Sequence, residues 1–198
     1  MPPATQRGTL HLVVGPSGVG KDTLIAEAAK ARPDLLFPTR AVTRPAGPGE
    51  DHEPVTETDF AAREAAGAFL LSWRAHGLAY GIPASAGQAL ADGRHVMINV
   101  SRAVVPDARA RLTPVRILAV TASPEALARR LAGRGRESET EIAARLRRTP
   151  PPLPDGPDVH IIDNGGDLPA AVDAFLAALA PAAPAPSPDD LSLSRSDP

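Results

Sequence analysis

A parallel β-sheet with helices on both faces is the architecture this 198-residue sequence predicts, and three observations lead there. Short apolar runs at 9–14, 94–100, 116–120 and 159–162 recur without the polar alternation of a half-exposed sheet. Between them lie segments of helical period with identifiable starts and stops. Directly after the first run stands Gly15-Pro16-Ser17-Gly18-Val19-Gly20-Lys21-Asp22, a glycine-rich turn opening onto a helix. Strand, turn and helix in that order are the context of a phosphate-cradling P-loop. The predicted fold is therefore an α/β three-layer sandwich of the P-loop NTPase kind, with the loop at the edge where such sheets bind ligands.

The elements follow in order. Residues 1–8 lack the apolar core of a secretion signal and read as a flexible leader. Helix 23–31 places Leu24, Ile25 and Ala28 on one side and ends before Pro33. Leu35-Leu36-Phe37 and Ala41-Val42 are short extended segments around Pro38, and Pro45, Gly47, Pro48, Gly49 and Pro54 keep 44–55 a loop. Thr58 is expected to cap a helix over 59–66, closed by Gly67. Segments 69–74 and 78–82 form a hairpin turning at His76-Gly77, and a weak helix at 85–91 stops before Gly93. Ser123-Pro124 starts a helix with a hydroxyl at the cap and proline at the first position; Gly133 ends it. Ser138-x-x-Glu141 is a capping box for a further helix reaching about Arg148, before the prolines at 150–152. Asp167 caps the last helix, 168–179. The Pro/Ala/Ser-rich tail, 181–198, cannot bury a core and is expected to be disordered, which leaves 9–180 as the folded domain.

Composition narrows the function. A net charge of −2 gives no global field for nucleic acid or an anionic membrane. No apolar run approaches spanning length, so the cytoplasm is the expected location. With no cysteine, disulfides, thiolate metal sites and cysteine nucleophiles are excluded. Lys21 and Lys30 are the lysines; every other basic residue is arginine. Arginine forks suit phosphate oxygens, yet the abundance of Ala, Pro and Gly points equally to a GC-rich coding bias.

The chemistry starts at the P-loop. Glycines let successive backbone N–H groups converge on a phosphate, the following helix adds the positive end of its dipole, and Lys21 adds a mobile charge. Residues 15–23, Gly15, Pro16, Ser17, Gly18, Val19, Gly20, Lys21, Asp22 and Thr23, are thus the expected site for the triphosphate of ATP. Where the motif calls for Ser or Thr the chain has Asp22, followed by Thr23. Asp22 either holds Mg²⁺ with its hard oxygens or is a first-turn acid favoured by the dipole, and Thr23 offers a hydroxyl. A second anion site is expected from Arg40, Thr43 and Arg44 on irregular backbone, for which a solvated charge cluster is the plain alternative. Arg134, between Gly133 and Gly135, and Arg136, just after Gly135, are expected to form a mobile lid able to cover a moving phosphoryl group. Arg145 and Arg148 either face the same site or pair with acids such as Glu141 along a helix.

In order and spacing, the P-loop, Thr43-Arg44 with Gly49-Glu50, Tyr80-Gly81, Arg130-Leu131-x-x-Arg134-Gly135-Arg136-Glu137 and Glu141-Ile142-x-x-Arg145-Leu146 resemble the guanylate kinases over about 9–180. That resemblance implies a P-loop core, an acceptor-binding flap at about 40–83 and an arginine lid at about 133–140. There are departures. Gly47 stands where those enzymes carry a second arginine, Asp51-His52-Glu53-Pro54 where they carry an Asp-Tyr pair, and Leu71-Ser72-Trp73 where a glutamate reads guanine. A buried base edge without its partner is strongly disfavoured, so guanine is not the expected acceptor.

Gly20-Lys21-Asp22, Ser72-Trp73 through His76-Gly77-Leu78 to Tyr80-Gly81, and Asn99-x-Ser101-Arg102 are similar to the ribose 1,5-bisphosphate phosphokinases of phosphonate degradation. This resemblance implies transfer of the ATP γ-phosphate to a sugar bisphosphate, giving 5-phosphoribosyl 1-diphosphate (PRPP). It places Lys21, Arg134 and Arg136 at the transferring group, with Mg²⁺ near Asp22 or Thr23. Arg40, Thr43, Arg44, Arg102 and Arg145 are expected at the acceptor, and Tyr80 either bonds a phosphate there or does not. Asn99 replaces the acid of a Walker B strand. His52 and His76 read as loop polar residues, His11, His95 and His160 as structural ones, and Trp73 as core. Asn164-Gly165-Gly166 either borders the adenine or is a turn. The rival enzyme is a nucleoside monophosphate kinase; a non-catalytic guanylate-kinase-like module is disfavoured by the intact Lys21, and a nucleic-acid motor by the missing acid. Sequence leaves the oligomeric state open.

Overall fold

A computed structural model describes residues 7–47, 51–133 and 152–181. Arg134 and Arg136 of the expected lid, Arg145 with its predicted helix, Gly49-Glu50, and the tail from 182 on lie outside the described residues. In chain order the elements are β1 (Leu10–Val14), α1 (Lys21–Ala31), β2 (Arg40–Val42), β3 (His52–Pro54), α2 (Glu57–Ala65), β4 (Phe69–Ala75), β5 (Leu78–Pro83) and α3 (Ser85–Ala91). Then come β6 (Val96–Asn99), a 3-10 turn (Arg102–Val104) running into α4 (Val105–Arg111), β7 (Val115–Thr121), α5 (Pro124–Gly133), β8 (Val159–Asp163) and α6 (Leu168–Ala177).

The apolar runs assemble into one four-stranded parallel sheet of order β6-β1-β7-β8. Leu36 extends it beyond β6 by a single bridge to Val96. Side chains alternate between faces, and both faces are apolar. Leu10, Leu12, Val14, Ile98 and Ile117 pack against Ala89 and Leu90 of α3 and Val105 and Ala108 of α4. On the opposite face Val13, Met97, Leu118 and Val120 meet Leu24 and Ala28 of α1 and Phe175 of α6. Three layers result, as the sequence predicts. Because β1 is central, the chain leaves it toward β6 on one side and β7 on the other, which opens a crevice at its C-terminal end. Gly8, grouped with the leader by sequence, is buried, and its N–H donates to the Leu90 carbonyl at 2.8 Å.

The second sheet, β3-β2-β5-β4, pairs β2 with β3 in parallel and β5 antiparallel to both β2 and β4. His76 and Gly77 turn the β4–β5 hairpin with φ of 53° and 73°, the positive values a two-residue turn demands. Leu71 and Ile82 join this sheet to the main core. On its other face α2 stacks Phe60 on Phe69, ring centres 4.8 Å apart. A Cβ on Gly81 would lie 2.5 Å from the Phe69 ring, so only glycine fits beneath it.

Several elements differ from expectation: His52–Pro54, expected within a loop, pairs in parallel with Arg40–Val42 as β3, which also puts Arg40 in a strand and not on irregular backbone. The cap of α2 is Thr56, not Thr58: its hydroxyl oxygen accepts the Asp59 N–H at 3.0 Å. Thr56 has an acid three residues on, the partner a capping box needs, and Thr58 has Ala61. Helix α1 begins at Lys21 rather than Thr23, because Gly20 takes a left-handed φ of 95° and turns the chain directly into the helix. Helix α6 closes at Ala177, earlier than the expected 179, with Asp167 as its cap. Among the described residues no helix is long and apolar enough to cross a membrane.

Candidate active site

The P-loop leaves the C-terminal end of β1 and packs tightly on its neighbours. Gly15 has φ of 153°, and a Cβ there would stand 2.5 Å from the Val120 carbonyl oxygen of β7. Since α1 starts at Lys21, Lys21 and Asp22 both occupy its first turn, at the positive end of the dipole. The Lys21 ammonium donates back to the carbonyls of Gly15 and Pro16, at 2.9 and 3.0 Å. It thus rests over the loop whose N–H groups would receive a phosphate chain.

Asp22 and Arg40 meet through one residue, Asn99 at the end of β6. The Asn99 Nδ2 donates to Asp22 Oδ1 at 3.1 Å, and the Asn99 carbonyl accepts from Arg40 Nη1 at 3.1 Å. Sequence marked Asn99 as the residue replacing an acid and as part of the Asn99-x-Ser101-Arg102 motif, without this bridging role; its place at the end of a buried strand beside β1 was the available signal. Arg102 opens the 3-10 turn just beyond, half-buried, and burial draws its pKa below the ordinary value. A guanidinium keeps its charge nonetheless.

Thr43 is stitched to β5: its N–H donates to the Ala79 carbonyl at 3.1 Å and its hydroxyl accepts the Ala79 N–H at 2.8 Å. That fixes the backbone carrying Arg44, whose carbonyl also lies 3.2 Å from His52 Nε2. His52 is buried and directly opposite Arg40 in the β2–β3 pairing, so it braces the arginine strand from within. Tyr80 stacks almost flat on Trp73, centres 5.1 Å apart at 7°, and Trp73 packs on the core. Ser72 donates its hydroxyl to Glu64 Oε1 at 2.7 Å. Glu64 is drawn below the usual carboxylate range by hydrogen bonds from Arg74, then Ser72.

Magnesium fits this site on its chemistry. Among the described residues no three His, Cys, Asp or Glu groups cluster as a cage. Mg²⁺ needs none, since one carboxylate and substrate phosphates suffice, and Asp22 stands beside the phosphate nest. Sequence offered Asn164 as either an adenine border or a turn and carried Arg130 in the arginine motif; the structure brings both to the Val19 carbonyl of the P-loop, a contact sequence did not foresee.

A nest of main-chain donors on the central strand, faced by a small sheet that sends an arginine to the same edge, defines a P-loop phosphotransferase. A family model described as "AAA domain" matches residues 10–149. The chain is 55% identical over 149 residues to the ribose 1,5-bisphosphate phosphokinase PhnN of Acidiphilium cryptum, covering 74% of this chain and 80% of that protein. It is 47% identical over 180 residues to that of Pseudofrankia inefficax, covering 90% and 94%. Among solved structures it resembles a guanylate kinase from Anaplasma phagocytophilum with a TM-score of 0.62 at 18% identity, over 87% of this chain and 85% of that one, a likeness of fold. The chain belongs to the ribose 1,5-bisphosphate phosphokinase family.

Proposed function

We infer that the chain moves the γ-phosphoryl group of ATP onto the 1-phosphate of ribose 1,5-bisphosphate, giving 5-phosphoribosyl 1-diphosphate and ADP. The observation that carries this reading is the Arg40–Asn99–Asp22 chain of hydrogen bonds, which joins the acceptor sheet to the first turn after the P-loop. Arg40, Arg102 and Asp22 therefore gather around the end of β6. The hairpin supports an acceptor without a base. Leu71 is buried, Ser72 is committed to Glu64 and Trp73 to Tyr80, so this stretch offers no carboxylate to a guanine edge.

In this reading the P-loop N–H groups and Lys21 hold the β- and γ-phosphates. Arg40, Arg44 and Arg102, with Arg145, hold the two phosphates of the sugar, on a backbone fixed by Thr43; Tyr80 lies in the same sheet. Arg134 and Arg136 close over the group in transit. Magnesium, when bound through Asp22 or Thr23, would neutralise the phosphate oxygens. The attacking 1-phosphate oxygen is already ionised at neutral pH, so no general base is required. The work of the site is alignment and charge neutralisation. Supplied by cellular ATP and a small sugar phosphate, the enzyme is assigned to the cytoplasm.

The test is direct. The purified protein is incubated with ATP and Mg²⁺ plus either ribose 1,5-bisphosphate or GMP, and products are followed by ³¹P NMR. A diphosphate on the sugar C1 is expected; turnover of GMP alone would overturn the reading in favour of a nucleoside monophosphate kinase.

A further inference from the structure

Within the P-loop, the Val19 carbonyl takes two hydrogen bonds. Asn164 Nδ2 donates to it at 2.7 Å and Arg130 Nη1 at 3.1 Å. Both come from elements after the loop in sequence: Arg130 from α5, and Asn164 from the residue that follows β8. Asn164 is 2% exposed, and its own N–H is tied to the Thr121 carbonyl of β7 at 2.8 Å. Its Oδ1 is buried without a hydrogen-bond partner among the described residues. A buried carbonyl oxygen left unmatched is unfavourable. The amide is thus engaged through its donor end, and the acceptor it meets fixes which end is nitrogen.

We propose that Asn164 is a positioning residue of the nucleotide site, setting the Val19–Gly20 peptide so that the Gly20 N–H faces the triphosphate. In a trans peptide the carbonyl and the following N–H point in opposite directions. Drawing the Val19 oxygen back toward α5 and β8 therefore turns the Gly20 N–H forward into the nest. A hydrogen bond on the carbonyl also polarises the amide, strengthening that N–H as a donor. The approach is close enough to dictate the neighbour: a Cβ on Gly20 would lie 2.4 Å from Asn164 Nδ2. The motif's second glycine answers to Asn164 as well as to the left-handed φ of 95°. This role rests on the P-loop being the triphosphate site.

Inorganic tripolyphosphate is the probe that isolates it, because it carries the phosphate chain and no adenine. Affinities of the full chain for ATP and for tripolyphosphate are measured by calorimetry in wild type and Asn164→Ala, with circular dichroism to establish folding. Both ligands are expected to weaken together, by about tenfold for loss of one positioned bond, while the KM for ribose 1,5-bisphosphate stays put. Asn164→Asp, of equal volume but with no donor when ionised, should weaken both as much, and it carries the test if the alanine variant fails to fold. Unchanged tripolyphosphate binding overturns the proposal, including the case where ATP alone weakens and the side chain is instead an adenine contact. A wild type that binds no triphosphate overturns the site reading itself, and this role with it; one that binds while the variants are unaffected overturns this role alone.

Discussion

Lys21 owes its place to Gly20. The left-handed glycine starts α1 at Lys21, two residues before the expected Thr23, and so puts the lysine in the first turn of the helix. Its contacts with the Gly15 and Pro16 carbonyls are short and directed, yet a phosphate chain would draw an ammonium away from neutral oxygens. Lys21→Ala is expected to lower ATP-dependent turnover of ribose 1,5-bisphosphate by roughly 10²–10³-fold, the range for removing one charge-stabilising donor. A coupled ADP assay with circular dichroism would check that the loss is chemical and not a loss of fold. Gly20→Ala meets both the positive φ and the Asn164 amide, and should cost about 1–3 kcal/mol, read as a lower urea midpoint. Both residues were legible in sequence, because a motif binds their identity to a local backbone shape.

At the scale of elements, the two threonines before α2 separate cap from bystander. Thr56→Ala should destabilise by about 1 kcal/mol, and Thr58→Ala by less than about 0.5 kcal/mol; equal losses in urea unfolding would return the cap to Thr58. Elements β2 and β6 meet through the Arg40 guanidinium and a backbone carbonyl. Arg40→Ala is therefore expected to raise the KM for the sugar bisphosphate about 10–100-fold, the worth of a hydrogen bond to a charged group, with the KM for ATP little changed. Steady-state kinetics with each substrate varied in turn would show the split. The hairpin was readable from His76-Gly77 because its turn is local. The bridge at Leu36 was only half readable: the segment is extended as expected, but one residue pairs, since a partner strand and not propensity decides how much of it joins a sheet.

For the whole molecule, the buried histidine of β1 ties stability to pH. His11 accepts the Ala180 N–H on its Nε2 at 3.1 Å, pinning the segment after α6 to the central strand, and meets the His95 ring edge-on at 5.8 Å. Burial, then the neighbouring charge of His95, with smaller contributions from Arg116 and Arg32, lowers its pKa from 6.5 to about 4; the Val96 backbone opposes them. The folded ring stays neutral down to that pH, whereas the unfolded chain takes up a proton near 6.5. Between the two values the unfolded state binds more protons, so stability present above pH 6.5 is lost as the pH falls toward 4. The loss approaches roughly 3 kcal/mol. Urea midpoints across this range should fall in wild type and stay nearly level in His11→Gln; parallel slopes would sink the assignment. Asp158, held low by its hydrogen bonds from Arg109, adds its own loss only below its ordinary 3.8.

Sequence by itself determined the sandwich and the phosphate loop, because each rests on short-range pattern: buried strands are continuously apolar, helices announce their caps, and a nest needs its glycines in a row. Tertiary structure alone decided which residues serve that loop from a distance. Asn99 reaches Asp22 and receives Arg40 only because β6 lies beside β1, and Asn164 and Arg130 grip Val19 only because β8 and α5 fold behind it. No local propensity encodes such meetings. They follow from strand order, which is set by the packing of the whole sheet.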